Sequence, residues 1–167
     1  MFVKKVLNDM PFPKGLILEI GCASGNFFNI LRNKNFKNNR YIGIDLDSRQ
    51  IEKARSNFPK EDFICGNVLD DKFNKLIKSA NIIVSFEVLE HIDLDKKLFN
   101  KIKSNTPIIF SVPNFKYRST FPDGHKRWFD LDGWIDRYKD IIDISEVWSI
   151  KHYKKDRKIF VFQSTRR

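Results

Sequence analysis

Cysteine is scarce in this sequence, and long apolar runs are absent. The 167 residues include two cysteines, Cys22 and Cys65, which form no C-x-x-C pair and have no metal-type spacing to a histidine. A disulfide framework and a zinc module are therefore excluded, and we expect two reduced thiols. No apolar run approaches the roughly 20 residues that span a bilayer. Residues 1–11 lack the apolar stretch and cleavage site of a signal peptide, so we expect a cytoplasmic protein.

Acidic residues are outnumbered by basic ones. Lys and Arg number 31 against 21 Asp and Glu, which gives a formal net charge of +10. A basic surface attracts nucleic acid, anionic lipid or anionic substrates. The basic residues are spread along the whole chain, however, together with abundant Asn and Ile, a pattern that an AT-rich genome also produces. The charge alone therefore assigns no partner. The length and the 41% hydrophobic content suit one globular domain over residues 1–167.

Short apolar runs alternate with stretches of helical periodicity in the first two thirds of the chain. The runs that predict buried strands are Leu16–Ile20, Tyr41–Ile44, Asp62–Cys65, Asn81–Phe86 and Pro107–Val112. The predicted helices are Asn26–Arg32, a helix that Ser48 caps and opens, Asp71–Lys78 and Asp93–Lys103. This alternation predicts βαβ units and a mostly parallel sheet with helices on both faces.

The alternation of predicted strands and helices ends after Pro113. A polar and aromatic loop over Asn114–Arg127 precedes a short predicted helix, Asp130–Tyr138. Two strands, Ile141–Ile150 and Lys158–Ser164, then follow with no helix between them. Because they are joined directly by a basic turn, we expect them to pair antiparallel. The predicted fold is thus α/β and Rossmann-like, a doubly wound seven-stranded sheet with an antiparallel strand pair at its C-terminal end.

The segment from Glu19 to Asn26 links the first strand to the first helix. Its small residues let a ligand approach the backbone closely. Twenty residues after Gly25, Asp45 ends the second strand, where a carboxylate can accept both hydroxyls of a ribose. A dinucleotide site needs G-x-G-x-x-G, but Ala23 and Asn26 occupy its later glycine positions. Glu19 would repel a pyrophosphate and suits an amino group, so S-adenosylmethionine is favoured; the alternative is a plain tight turn.

With the later segments added, the sequence resembles the class I S-adenosylmethionine-dependent methyltransferases. The motifs are L-E-I-G-C-A-S-G at 18–25, G-I-D-L-D at 43–47, G-N-V at 66–68, F-E-V-L-E-H-I at 86–92, S-V-P-N at 111–114 and G-H-K-R-W-F at 124–129. The last three are similar to the ubiquinone-biosynthesis-like O-methyltransferase branch. The resemblance covers residues 14–114 well and the remainder loosely. It implies the strand order 3-2-1-4-5-7-6 and S-adenosylmethionine as cofactor, with S-adenosylhomocysteine as product.

The resemblance also implies a role for each matching residue. The methionine end of the cofactor would be held by Glu19 and by the loop residues Gly21, Cys22, Ala23 and Gly25. The ribose and adenine would be held by Asp45, Leu46, Asn67 and Val68, and Phe86 would border the sulfonium and its methyl group. Two residues depart from the family pattern. Ala23 replaces a glycine and narrows the loop, and Asn67 replaces an aspartate and loses its charge.

Histidine is the candidate for a general base, because its unperturbed pKa lies near neutrality. His125 is preferred to His91, since it lies in the loop after the fifth strand, where such sheets present ligands. The alternatives are that His91 braces a loop and that His125 is an exposed or structural loop residue. His152 falls in the late strand pair. Glu87 and Glu90 are interpreted as bracing carboxylates rather than catalytic groups.

Glu87, Glu90, His91 and His125 also resemble the E-x-x-E-H and distal histidine set of small-RNA 3′-end 2′-O-methyltransferases, which use a divalent metal. The O-methyltransferase branch carries E-x-x-E-H without metal, and the chain lacks added RNA-grasping elements. We therefore expect no metal here.

The loop after Pro113 is rich in aromatic residues: Phe115, Tyr117, Phe121, Trp128, Phe129 and Trp134. They form either an acceptor pocket, in which Arg118, Lys126 and Arg127 catch an anionic group, or plain packing over the sheet. The expected reaction is direct displacement of the methyl group by an oxygen, less readily a nitrogen, of a small molecule or saccharide. The alternatives are RNA or protein methylation through the basic surface and a non-catalytic cofactor- or partner-binding domain. Nucleic acid is the less favoured partner, no membrane partner is expected, and a second subunit could supply a lid.

Overall fold

The computed structural model describes residues 13–32, 39–114, 124–127, 129–151 and 158–167. Its seven strands form one sheet in the order β3-β2-β1-β4-β5-β7-β6. The strands are β1 (Gly15–Ile20), β2 (Asn39–Asp45), β3 (Asp62–Cys65), β4 (Ile82–Phe86), β5 (Pro107–Pro113), β6 (Ile142–Lys151) and β7 (Lys158–Arg166). The predicted fold class and strand order are confirmed.

Short helices connect the strands. They are α1 (Asn26–Arg32), α2 (Ser48–Asn57), α3 (Asn74–Ser79), α4 (Asp95–Lys101) and α5 (Leu131–Tyr138). Two 3₁₀ turns, Asp71–Phe73 and Leu89–His91, complete the described helical elements. The prediction that Ser48 caps α2 is wrong. Asp47 has the extended backbone of a cap, and its carboxylate accepts from the Arg49 amide at 2.9 Å. A carboxylate at this position also interacts favourably with the positive end of the helix dipole. None of the helices described is long and apolar enough to cross a bilayer.

The chain divides into two compact units, Met1–Val84 and Ser85–Arg167. In the first unit, β1 and β2 pair in parallel, with Ile20 opposite Ile44, and β2 and β3 pair in parallel, with Asp45 opposite Cys65. This register brings the carboxyl ends of three strands to one edge of the sheet. The segments 21–25, 45–47 and 66–68 therefore lie together at that edge. A single domain over residues 1–167 stays a prediction.

In the second unit, β7 pairs antiparallel with both β5 and β6, as the direct connection predicts. A register irregularity lies between Ile144 and Glu146. The core of this unit is aromatic, since Phe110 stacks on Phe162 at 4.7 Å between ring centroids and Tyr138 of α5 is fully buried. The carboxyl end of β5 leads into the segment that carries the candidate base.

Candidate cofactor and catalytic site

The loop after β1 is shaped by hydrogen bonds within the chain. The N–H groups of Gly21 and Cys22 both donate to the Ile44 carbonyl, at 2.8 and 3.1 Å. The Gly25 N–H donates to the Cys22 carbonyl at 2.9 Å. Gly25 has φ 83°, and a Cβ there would lie 2.9 Å from the Phe58 ring. Only glycine fits this position, so the loop passes close to the Phe58 ring and presents small residues at the strand ends.

Cys22 is part of the loop, but its side chain is buried at 2% exposure. A Cβ on Gly43 would come within 2.8 Å of its sulfur, so the thiol packs directly against the backbone of β2. Burial, with the nearby acidic groups Glu19 and Asp45, raises the pKa of the thiol. Cys22 is therefore a neutral thiol, and it can meet a ligand only through its backbone.

Asp45 is held in place at the end of β2 by two backbone amides. One carboxylate oxygen accepts from the Ala23 N–H at 2.8 Å and the other from the Asp47 N–H at 2.9 Å. A carboxylate has about four acceptor positions, so both oxygens keep capacity for further donors such as ribose hydroxyls. Next to it, Leu46 is 73% exposed. An exposed leucine beside a fixed carboxylate gives one polar and one apolar contact for a nucleoside.

The segment after β3 adds a second polar side chain at the same edge. Asn67 is exposed, and its side-chain oxygen accepts from the Leu69 N–H at 3.0 Å, which fixes the amide in a turn. Val68, the next residue, is buried at 7% exposure. Phe86, half-buried, ends β4. These are the positions that the resemblance assigns to adenine and to the methyl group.

Glu19 lies in β1 and is buried at 3% exposure. Burial raises the pKa of its carboxyl group to about 8; a hydrogen bond from Tyr41 opposes this rise, and the nearby Asp45 adds to it. The Tyr41 hydroxyl donates to Oε2 of Glu19. Sequence reasoning missed Tyr41. The available signal was an acidic residue inside the apolar run of β1, which needs a buried polar partner.

The first unit fits an adenosyl amino acid better than a dinucleotide. Phosphate-binding loops present unpaired N–H groups to the ligand. Here the N–H groups of Gly21, Cys22, Ala23 and Gly25 are all bonded within the chain. The acidic residue of this unit, Glu19, adds a carboxyl group, which can accept a hydrogen bond from an amino group. Asp45, Leu46 and Asn67 then suit a ribose and a purine.

In the second unit, Glu87 follows β4 with a left-handed backbone, φ 57°. Its N–H donates to both the carbonyl and the hydroxyl oxygen of Ser111, each at 3.1 Å. The Ser111 hydroxyl donates in turn to the Glu87 carboxyl at 2.8 Å. Burial raises the pKa of Glu87, and the Ser111 hydrogen bond partly offsets the rise. Glu87 thus braces the turn after β4, as the sequence interpretation expects.

Glu90, His91 and His125 lie together, with one ligand atom from each within 4.8 Å of the others. The Glu90 carboxyl is 1% exposed, and burial beside Glu87 raises its pKa. His91 Nδ1 lies 2.9 Å from the Gly124 carbonyl, which can only accept, so this nitrogen carries the hydrogen. His91 Nε2 lies 3.9 Å from Glu90, and the two imidazole rings are 4.4 Å apart. The structure therefore brings both candidate bases together, and the same atoms could accept a divalent cation.

Hydrogen bonds and an ion pair made by Arg127 hold the segment that carries His125 in place. Arg127 donates to the carbonyls of Leu89, at 3.2 Å, Ile92 and Asp93, and it forms an ion pair with Asp95 at 3.0 Å. Its side chain is 9% exposed. The interpretation of Arg127 as a ligand for an anionic acceptor is therefore wrong, because the carbonyl groups of a 3₁₀ turn and a buried aspartate already use its donors.

Two of the aromatic residues predicted for an acceptor pocket, Phe129 and Trp134, are described by the structure, and both are packing residues. Trp134 is fully buried, and its indole N–H donates to the Pro113 carbonyl at 3.1 Å. Phe129 packs edge-on against it, 5.2 Å between ring centroids. The predicted acceptor-pocket residues Phe115, Tyr117, Arg118, Phe121 and Trp128 lie outside the described residues, as does His152.

A family model described as a methyltransferase domain matches residues 2–154. A carboxy-S-adenosyl-L-methionine synthase of Helicobacter pylori strain P12 is 29% identical over 112 residues, which are 62% of this chain and 44% of that relative. The chain thus spans less than half the length of this curated relative. Among solved structures, a SAM-dependent methyltransferase from Aquifex aeolicus has TM-score 0.75 at 12% identity, covering 98% of this chain and 89% of that one. The [4+2]-cyclase SpnF has TM-score 0.77 at 11% identity, covering 98% and 79%.

Proposed function

The chain belongs to the methyltransferase-domain family, and we propose that it transfers the methyl group of S-adenosylmethionine to an oxygen of a small-molecule or saccharide-type acceptor. The observation that carries the cofactor part is Asp45. Its two oxygens are fixed by the amides of Ala23 and Asp47 beside the exposed Leu46. A fixed carboxylate can bind the vicinal diol of a ribose, and an exposed apolar side chain beside it can pack against a flat purine.

Each element of the first unit has a part in holding the cofactor. Glu19 and the loop carbonyls would accept hydrogen bonds from the methionine amino group, and Asp45 would accept the ribose hydroxyls. Leu46 and Val68 would cover the adenine, with the side chain of Asn67 at its polar edge. When bound, the cofactor supplies a methyl group on a positively charged sulfur. The protein contributes mainly by holding the acceptor in line with this methyl group.

A base is needed because an alcohol or phenol is a weak nucleophile until its proton leaves. We assign this role to His125, with His91 beside it. The imidazole would take the proton of the acceptor hydroxyl, and the oxygen could then form a bond to the methyl carbon as the C–S bond breaks, with S-adenosylhomocysteine as the leaving group. An adjacent pair of imidazoles supports oxygen over nitrogen as acceptor atom, since a neutral amine needs less help from a base.

The acceptor class must be inferred from the residues of the site, because one fold serves many different functions. The H. pylori relative is named a synthase and SpnF a cyclase, so proteins similar to this chain do different chemistry. The open alternatives are RNA or protein methylation, which the charge of +10 suggests, and cofactor binding without turnover.

The test is transfer of tritiated methyl groups from S-adenosylmethionine into fractions of a cell extract. We expect label in small molecules or saccharides, in a form that resists nuclease and protease. A His125→Gln variant should lose about 100-fold or more in rate while binding S-adenosylhomocysteine as the wild type does. Label confined to RNA or protein would replace the proposed acceptor, and no label with normal cofactor binding would favour a non-catalytic domain.

Adding a chelator to the same assay distinguishes a general base from a metal site. We expect EDTA to leave the rate unchanged, because the proposed step needs only the imidazoles. Loss of activity with EDTA, restored by a divalent cation, would instead assign Glu90, His91 and His125 as metal ligands.

A further inference from the structure

Glu19 and Tyr41 form a buried pair between β1 and β2. The register sets Glu19 opposite Gly43, two residues after Tyr41 on the same strand. The two side chains are 3% and 4% exposed, and the Tyr41 hydroxyl donates to Oε2 of Glu19. A Cβ on Gly43 would lie 2.9 Å from the Tyr41 oxygen. The glycine therefore leaves the space through which the hydroxyl reaches the carboxyl group.

Among the described residues, the groups that act electrostatically on this pair are acidic groups and a thiol. Asp45 at the end of β2 and Cys22 in the loop face Glu19, and Glu61, just before β3, acts on Tyr41. Burial without a cation favours the neutral carboxylic acid. A hydroxyl donor favours the ionised form instead, because a carboxylate is the stronger acceptor. Burial and the Tyr41 hydrogen bond thus oppose each other. A positively charged group that reaches Glu19 would favour loss of the proton from its carboxyl group.

We propose that Tyr41 is a positioning residue that holds the carboxyl group of Glu19 for the amino group of the cofactor, and that cofactor binding releases a proton from Glu19. The inference rests on the proposed function. The proton of the carboxylic acid passes to solvent, the ammonium group keeps its three hydrogens, and Tyr41 continues to donate to the carboxylate. Cofactor affinity then depends on pH through a residue of the first unit, independently of any catalytic base.

The test compares two ligands by titration calorimetry in buffers of different protonation enthalpy. S-adenosylhomocysteine carries the amino acid part, and 5′-methylthioadenosine lacks it. For S-adenosylhomocysteine we expect release of about one proton near neutral pH, and affinity that rises by up to about tenfold per pH unit below the Glu19 pKa of about 8. For 5′-methylthioadenosine we expect neither effect, because it offers Glu19 no amino group.

Two variants assign the effect to the pair. Tyr41→Phe removes the hydroxyl and should weaken S-adenosylhomocysteine about tenfold or more at neutral pH, shift the rise in affinity to higher pH and leave 5′-methylthioadenosine unchanged. Glu19→Gln should abolish proton release. Tyr138→Phe is the matched control, since Tyr138 makes a similar bond to Asp95 at 2.6 Å in the other unit and should not alter the pH profile.

The outcomes distinguish this inference from the proposed function. If wild-type protein binds S-adenosylhomocysteine with no proton release, or if Tyr41→Phe weakens both ligands equally, the positioning role is overturned while the cofactor site stands. If wild-type protein binds neither ligand, the proposed function fails and this inference fails with it.

Discussion

Ala23 and Glu87 both adopt a left-handed backbone, with φ 44° and 57°. This conformation is unfavourable for any residue with a Cβ, by roughly 1–2 kcal/mol. Each residue is held there by hydrogen bonds: the Ala23 N–H bonds to Asp45, and the Glu87 N–H bonds to Ser111. Strain of this kind gathers at functional sites, and these two residues lie in the cofactor loop and in the turn that precedes His91.

Ala23→Gly should stabilise the protein. The left-handed strain is relieved, and the greater freedom of glycine in the unfolded chain offsets part of the gain, leaving about 0.5 kcal/mol. Urea unfolding measures it. Ala54→Gly is the control, because Ala54 is buried in α2 and the same exchange there should destabilise by about 1 kcal/mol. A loss of stability at both positions would contradict the left-handed assignment of Ala23.

At the scale of elements, α4 and α5 are joined through Asp95. Its carboxylate is fully buried and accepts from Arg137 at 2.6 and 2.5 Å and from Tyr138 at 2.6 Å, with Arg127 3.0 Å away. Burial opposes ionisation, but the hydrogen bonds from Arg137 and Tyr138 outweigh it and lower the pKa of Asp95. Its contribution to stability is thus present above the ordinary Asp range and is lost as the pH falls below it.

Asp95→Ala should destabilise the protein by about 3–5 kcal/mol, because it leaves the buried Arg127 and the half-buried Arg137 without their counter-ion. The control is Asp136→Ala on α5, since Asp136 pairs with Lys139 on the surface, is 75% exposed, and should change stability much less than Asp95→Ala. Chemical denaturation measures both. Equal small effects would show that the α4–α5 connection does not depend on this carboxylate.

At the scale of the whole molecule, Glu19 makes stability depend on pH. Its folded pKa of about 8 lies above the ordinary value of 4.5 because of burial. The folded state therefore keeps a proton that the unfolded state loses, and stability falls as the pH rises from about 5 to about 8. Relative to a Glu19→Gln variant, the wild-type free energy of unfolding should fall by up to about 4 kcal/mol over this range. A difference between the two proteins that stays constant with pH would contradict the buried, protonated Glu19.

Much of the fold could be predicted from the sequence, because it follows from local patterns. The apolar run Asp62–Cys65 matches β3 to the residue, and the direct link between the last two strands gives their antiparallel pairing. Local errors came where two signals competed. Asp47 and Ser48 are both good caps, and the carboxylate wins because it accepts the Arg49 N–H. The predicted helix Asp93–Lys103 is shorter in the structure, where Leu94 is 56% exposed.

Of the site, only the residues that belong to recognisable motifs could be predicted from the sequence. The motifs indicate Glu19, Asp45 and His125 but not what holds these groups. Tyr41 reaches Glu19 only because of the strand register, a long-range property. Arg127 looks like a surface cation in the sequence, yet it folds back onto carbonyls 34 to 38 residues away in the chain. Such contacts depend on the packed fold and leave no local pattern.

The most direct test of the cofactor site is calorimetric titration of the purified protein with S-adenosylmethionine and S-adenosylhomocysteine, beside Asp45→Ala and Asp62→Ala. Asp62 is the control because its carboxylate lies at the opposite end of β3 and pairs with Arg40 on the surface. We expect both ligands to bind wild-type protein and Asp62→Ala alike. Asp45→Ala should weaken binding by about 100-fold through the loss of two charged hydrogen bonds. Equal binding by all three proteins, or none to any of them, would contradict the account.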